Sequence, residues 1–182
     1  MAVRTAQKER TRRAIAAAAR ELVVGNAEVT MPAVAARAGV SEATACRYYP
    51  DLVSLLRETV DDVWPAPADM VPLEGVTDLG ERVARVATAL AERTLAHEVA
   101  VRAVVSSSVA RTGERRPAHR FGLIEHALAT MPASPARTEL ATRLAVVISA
   151  ESLFTLLDLC GLEPDAAVAA LRGCAVAVVA GS

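Results

Sequence analysis

The run from Thr30 to Tyr49, TMPAVAARAGVSEATACRYY, constrains the fold of this chain more than any other stretch. Thr30 can cap a helix, with Pro32 tolerated in its first turn. Val34, Ala35 and Ala38 continue that helix to Gly39, which can take the positive φ of a tight turn. Ser41 then caps a second helix that ends near Tyr49. Ala35 is small where two helices cross closely, and Val34 and Val40 plug the corner beneath the turn. This spacing predicts a helix-turn-helix whose second helix has a free N-terminus and can enter a DNA major groove.

The flanking segments predict more helices and no strands. A loose tail is expected before about Thr5, then a first helix to Gly25-Asn26. Ile15, Ala19, Leu22 and Val23 form its apolar stripe. Asp51 caps a fourth helix that carries Leu52, Leu55, Leu56 and Val63 to Trp64. The stretch Pro65–Pro72, with three prolines, is expected to break any helix and to mark the boundary between domains at 1–64 and 65–182. Beyond it, helices are expected at 78–97, 98–109 and 118–131, then a long one at 137–159 and a last one at 165–180. The hydrophobic share is 53% against 3% aromatic, so alanine, valine and leucine dominate the core, as suits an all-α protein with closely approaching helices.

Net charge is −1, yet its distribution is uneven. Residues 1–49 hold eight bases and four acids, and the remainder holds 12 bases and 17 acids. A basic head on an acidic body suggests a nucleic-acid surface at one end. Three cysteines (Cys46, Cys160, Cys174) lack metal-like spacing, and the charged N-terminus carries no apolar leader. Small buried thiols in a reducing cytoplasm are expected. A secreted disulfide scaffold and a membrane channel do not fit; the most apolar stretch, 166–180, is short and contains Arg172.

The segment resembles the N-terminal domain of TetR-family transcriptional regulators. The matching residues are Val34-Ala35-Ala36-Arg37-Ala38-Gly39-Val40-Ser41, then Thr44, Arg47, Tyr48 and Tyr49, then Leu55-Leu56. A helical C-terminal region whose final helix pair is entered through 158–164 is also similar to that family. Two positions depart from it. Ala45-Cys46 stands where Leu-Tyr is common, and that tyrosine often touches phosphate. Leu52 stands where a lysine is common. The resemblance implies an N-terminal DNA-binding domain joined to a C-terminal ligand-binding and dimerisation domain. It also implies a cytoplasmic repressor that is released by a small molecule.

On the second helix of the motif, Thr44, Arg47 and Tyr48 stand at i, i+3 and i+4, beside Ala43. Arg47 can fork onto guanine, Ala43 or Thr44 can meet a thymine methyl, and Glu42 can accept from cytosine or serve as a first-turn acid. Ser41 belongs to the same face as its cap. Thr30 and Tyr48 suit phosphate oxygens, and Arg4, Lys8, Arg10 or Arg12 are expected to supply the missing backbone anchors, with Arg10 and Arg12 the chosen candidates. The ordinary alternative for Arg47 is a surface salt bridge. Tyr49 is expected in the core.

The long helix at 137–159 has two apolar stripes, through Leu140, Leu144, Val147 and Ile148 and through Val146, Ala150, Leu153 and Leu157. The last helix is apolar nearly all round. A homodimer through 137–180 is the expected consequence. Candidate ligand-lining groups are Trp64, His97, Arg102, His126, Glu151 and Phe154, with core packing the equal alternative for each. Ligand binding is expected to tilt the fourth helix. The basic loop at 111–117 is expected to be a solvated surface.

Chemistry is poorly supported. His119 and His126 share a helical face without further ligands, no glycine-rich phosphate loop exists, and Ser106–Ser108 lacks a strand-turn context. Neither an enzyme nor a metal or other cofactor is expected. The expected partners are a double-stranded, pseudo-palindromic operator, a second copy of the chain and a small-molecule effector, with no membrane. The alternative function is a helical dimeric interaction or sensor module that has lost specific DNA binding.

Overall fold

The computed structural model describes residues 2–25, 27–110 and 119–181. Eleven α-helices run through them: α1 (Ala2–Val24), α2 (Met31–Arg37), α3 (Glu42–Tyr48), α4 (Leu52–Val63), α5 (Pro67–Met70), α6 (Leu79–Ala96), α7 (Glu98–Ala110), α8 (His119–Ala127), α9 (Pro135–Val147), α10 (Ala150–Asp158) and α11 (Pro164–Ala180). A single 3-10 turn, Leu128–Thr130, extends α8. The basic loop at 111–117 lies outside the described residues.

The described residues divide into two compact units, 2–64 with 96–110, and 65–95 with 119–181. In the first, α1 packs on α2 and α4, α2 on α3, and α4 on α7. Ile15, Ala19, Val34, Ala45, Leu55 and Leu56 form its centre, with Ala100 and Val104 contributed by α7. Each large aliphatic side chain buried in this way stabilises the unit by about 1.5–3 kcal/mol. Small buried residues, as at Ala19, Ala35 and Ala45, let α1 and the two short helices α2 and α3 share one core that is poor in aromatics.

In the second unit, α5 packs on α8, α8 on α9, and α11 on α9 and α10. Its centre holds Val83, Val86, Leu123, Ile124, Leu144, Ile148, Leu153 and Leu171. One cation is buried in it. Arg82, 5% exposed, donates from Nε to the Ala127 carbonyl (2.7 Å) and from Nη2 to that of His126 (2.8 Å). Its Nη1 donates to the carbonyls of Val76 (2.9 Å) and Leu73 (3.2 Å). The charge therefore sits at the negative C-terminal end of α8 and ties that end to the 73–76 loop.

Several expectations need correction. The backbone is helical from Ala2, so residues 2–4 belong to α1 and do not form the expected loose tail. The Pro65–Pro72 stretch contains a one-turn helix, because Pro67 takes the first helical position, where its missing N–H costs nothing. The long helix expected at 137–159 begins at Pro135 under a Ser134 cap and is broken at Ile148–Ser149. There Ser149 leaves the helical conformation and its hydroxyl accepts from the Ser152 N–H (3.0 Å), capping α10. Periodicity hid this break, since the apolar spacing runs straight across it. The stretch Pro135–Asp158 is long and apolar enough to cross a membrane by length and composition, but the Ser149 break divides it into two short helices. All three cysteines are exposed, not buried.

Candidate nucleic-acid interface

Backbone geometry at residues 30–49 follows from its capping groups. The Ala33 N–H donates to Thr30 Oγ1 (3.3 Å), which starts α2. At the other end, the Gly39 N–H donates to the Ala36 carbonyl (3.2 Å) and the Val40 N–H to that of Ala35 (3.0 Å). This is a Schellman motif, and Gly39 occupies its left-handed position with φ 68°. The Thr44 N–H donates to Ser41 Oγ (3.2 Å) and the two hydroxyls share a hydrogen bond of 2.8 Å, which starts α3. The chain thus forms the helix-turn-helix that its spacing predicts.

Burial sorts the α3 residues. Ala45 faces inward and is fully buried, while Thr44 and Tyr48 are half-buried and Tyr48 packs against the core. Glu42, Ala43, Cys46 and Arg47 are exposed and lie on one outward face. Arg47 has no ion pair among the described residues; its guanidinium stands 5.7 Å from the Tyr48 ring centroid. Among the described residues, no surface salt bridge competes for this side chain. Cys46 joins this face instead of forming the packed thiol expected of it, a placement its i+3 spacing to Ala43 already contains.

The expected phosphate anchors separate. Arg10 is exposed, with Nη2 donating to Gln7 Oε1 (3.1 Å). Thr30 has its hydroxyl committed to its cap. Arg12 is exposed but engaged within the domain: its Nη2 donates to Glu58 Oε2 on α4 (2.7 Å) and its guanidinium lies 5.0 Å from the centroid of the Tyr49 ring. The Tyr49 hydroxyl donates to the other carboxylate oxygen, Glu58 Oε1 (2.9 Å). Burial, together with the Glu58 carboxylate, pushes the Tyr49 hydroxyl up to about 12. Burial raises the Glu58 carboxyl, but the hydrogen bonds from Arg12 and Tyr49 outweigh it and hold the group below its usual value. The same hydrogen bond to Glu58 raises Arg12. Glu58 carried no signal in the sequence, because its partners come from two other segments of the chain.

The candidate ligand-lining residues are distributed over both units. Trp64, His97 and Arg102 belong to the first, His126, Glu151 and Phe154 to the second. Arg102 pairs with Glu98 (2.7 Å), Glu151 accepts two bonds from Arg120 Nη2 (2.7 and 2.9 Å), and His126 Nε2 lies 2.9 Å from the Val71 carbonyl. Trp64 packs against the first core, and His97 and Phe154 are buried. A cleft of about 400 Å³ in the second unit is lined by other residues, among them Val71, Ala84, Thr88, Glu92 and Arg172.

Residues 14–59 match the family model described as bacterial regulatory proteins, tetR family. No curated protein matches the chain. Among solved structures, the crystal structure of a TetR transcriptional regulator from Rhodococcus sp. RHA1 is similar, with a TM-score of 0.65 at 18% identity over 93% of this chain and 96% of that one. That likeness is one of fold. The family match spans α2, α3 and their flanks, where the caps, the Schellman turn and the outward α3 face lie; over residues 14–59 the chain is similar to the DNA-binding domain of TetR-family transcriptional regulators.

Proposed function

We propose that the protein is a repressor that binds a pseudo-palindromic operator as a homodimer and leaves it when a small molecule binds its C-terminal region. The observation that carries the DNA half of this reading is the outward face of α3, where Arg47 stands exposed without a carboxylate partner among the described residues. Arg47 reads a base edge, Ala43 and Glu42 contact neighbouring bases, and Arg10 holds phosphate. Ser41 and Thr30 fix the motif from within, and Thr44 and Tyr48 support its face. The protein works in the cytoplasm, where its operator is.

The dimer half is supported by α11. Only Ala167, Leu171 and Ala175 of that helix are buried, at i, i+4 and i+8. Exposed Ala166, Ala169, Gly173, Ala177 and Ala180 leave a small-residue face on which another helix can approach closely. Leu159, 82% exposed beside it, is apolar surface of the kind a partner covers. The effector half is supported by a C-terminal region much larger than a dimer clasp needs. His126, Glu151 and Phe154 are its candidate contacts in the second unit.

Selection of duplexes from a random pool by the purified protein tests the reading. A recovered sequence with two inverted half-sites supports it. Recovery of no preferred sequence favours the interaction module that has lost DNA binding. Metabolites are then screened for release. A true effector binds less tightly when operator is present, because the coupling is reciprocal.

A further inference from the structure

We propose that Arg12, Glu58 and Tyr49 form a strut that positions the recognition helix, so that Arg12 serves DNA binding through its contacts within the domain and not as a phosphate anchor. The inference rests on the DNA-binding reading and deepens it. Tyr49 is the residue immediately after α3, and it is 2% exposed. Its hydroxyl reaches one oxygen of Glu58 on α4 (2.9 Å), and Arg12 on α1 reaches the other (2.7 Å). Arg12 also lies over the face of the Tyr49 ring. One carboxylate thus joins the C-terminal end of α3 to α1 and α4.

Both Glu58 oxygens are occupied, and the Arg12 charge is matched by a carboxylate within the domain. A phosphate would have to compete with that carboxylate for Arg12. Arg10, two residues earlier, faces no carboxylate among the described residues and is the available backbone anchor. α3 itself is only seven residues long and buries only Ala45 fully. Its own packing is therefore a weak constraint on its tilt, and a hydrogen-bonded anchor at its C-terminal end sets where Arg47 points.

The test compares Arg12→Ala, Tyr49→Phe and the double variant, using the duplex selected by the wild-type protein and a shuffled duplex, over a range of salt. Tyr49→Phe keeps the ring and its packing, so the core stays filled. The strut predicts that either single variant loses about threefold to fivefold in affinity for the selected duplex, on the scale of one solvent-screened hydrogen-bonded contact. It predicts that the double variant loses little more than either single one, because both break the same unit. It also predicts that the salt slope stays at the wild-type value and that the shuffled duplex is bound almost as before. A phosphate contact would instead lower the slope by about one for Arg12→Ala, weaken both duplexes alike, and leave Tyr49→Phe unaffected. That result, or additive losses, overturns the strut while leaving the DNA-binding reading intact. Failure of the wild type to bind any duplex overturns both.

Discussion

Glu58 shows how much one side chain can depend on context. Its carboxyl is held below its usual value, so its contribution to stability is present above the ordinary carboxylate range, near pH 4.3, and is lost as the pH falls through its lowered folded value. The Tyr49 hydroxyl runs the other way. Raised to about 12, it adds stability that is complete below about pH 10 and lost as the pH rises towards 12. Arg12 and Glu58 are 46% and 38% exposed, so solvent screening limits their pair to at most about 1 kcal/mol. Urea midpoints measured against pH should therefore show an acid limb that Glu58→Gln diminishes and an alkaline limb that Tyr49→Phe diminishes. Unchanged limbs in both variants would contradict the assignment. Arg82 is a larger case. Arg82→Met should destabilise the second unit by roughly 3–5 kcal/mol, because four carbonyls lose their donor together in a buried site. Chemical denaturation checks this, and a loss under about 1 kcal/mol would refute the assigned role.

At the scale of elements, the caps were the legible portion of the sequence. Thr30, Ser41 and Asp51 each accept a backbone N–H three residues on, at the positions where the spacing of polar and apolar residues placed them. Gly39 was legible for a similar reason: only a left-handed residue closes the turn between α2 and α3. A Cβ at Gly39 would meet nothing within 4 Å, so Gly39→Ala should cost only the backbone strain, about 1–2 kcal/mol. A thermal melt of that variant measures it, and a neutral substitution would contradict the strained turn. The break between α9 and α10 was not legible. Ser149 is flanked by residues that continue both apolar stripes, and a serine within a helix is ordinary until its hydroxyl is seen capping a new one. The Glu58–Arg12–Tyr49 contacts were hidden because their register is set by how three helices cross, which no local pattern encodes. The exposure of Cys46 follows from the α3 rotation that buries Ala45.

For the whole molecule, reading two inverted half-sites requires a second copy of the chain. A charge on the exposed face of α11, as in Ala177→Glu, should convert a dimer to a monomer in sedimentation without disturbing Ala167, Leu171 and Ala175 on the buried face. A wild-type protein that sediments as a folded monomer would remove the dimer, and with it the inverted half-sites. The most direct measurement of the central claim is a titration of wild-type protein and Arg47→Ala against the selected duplex and a shuffled one. If α3 reads bases, Arg47→Ala loses about 1–3 kcal/mol on the selected duplex, relaxes the preference at one position in each half-site, and binds the shuffled duplex nearly as the wild type does. Equal loss on both duplexes would show that Arg47 contributes only charge, and would contradict base reading by the outward face of α3.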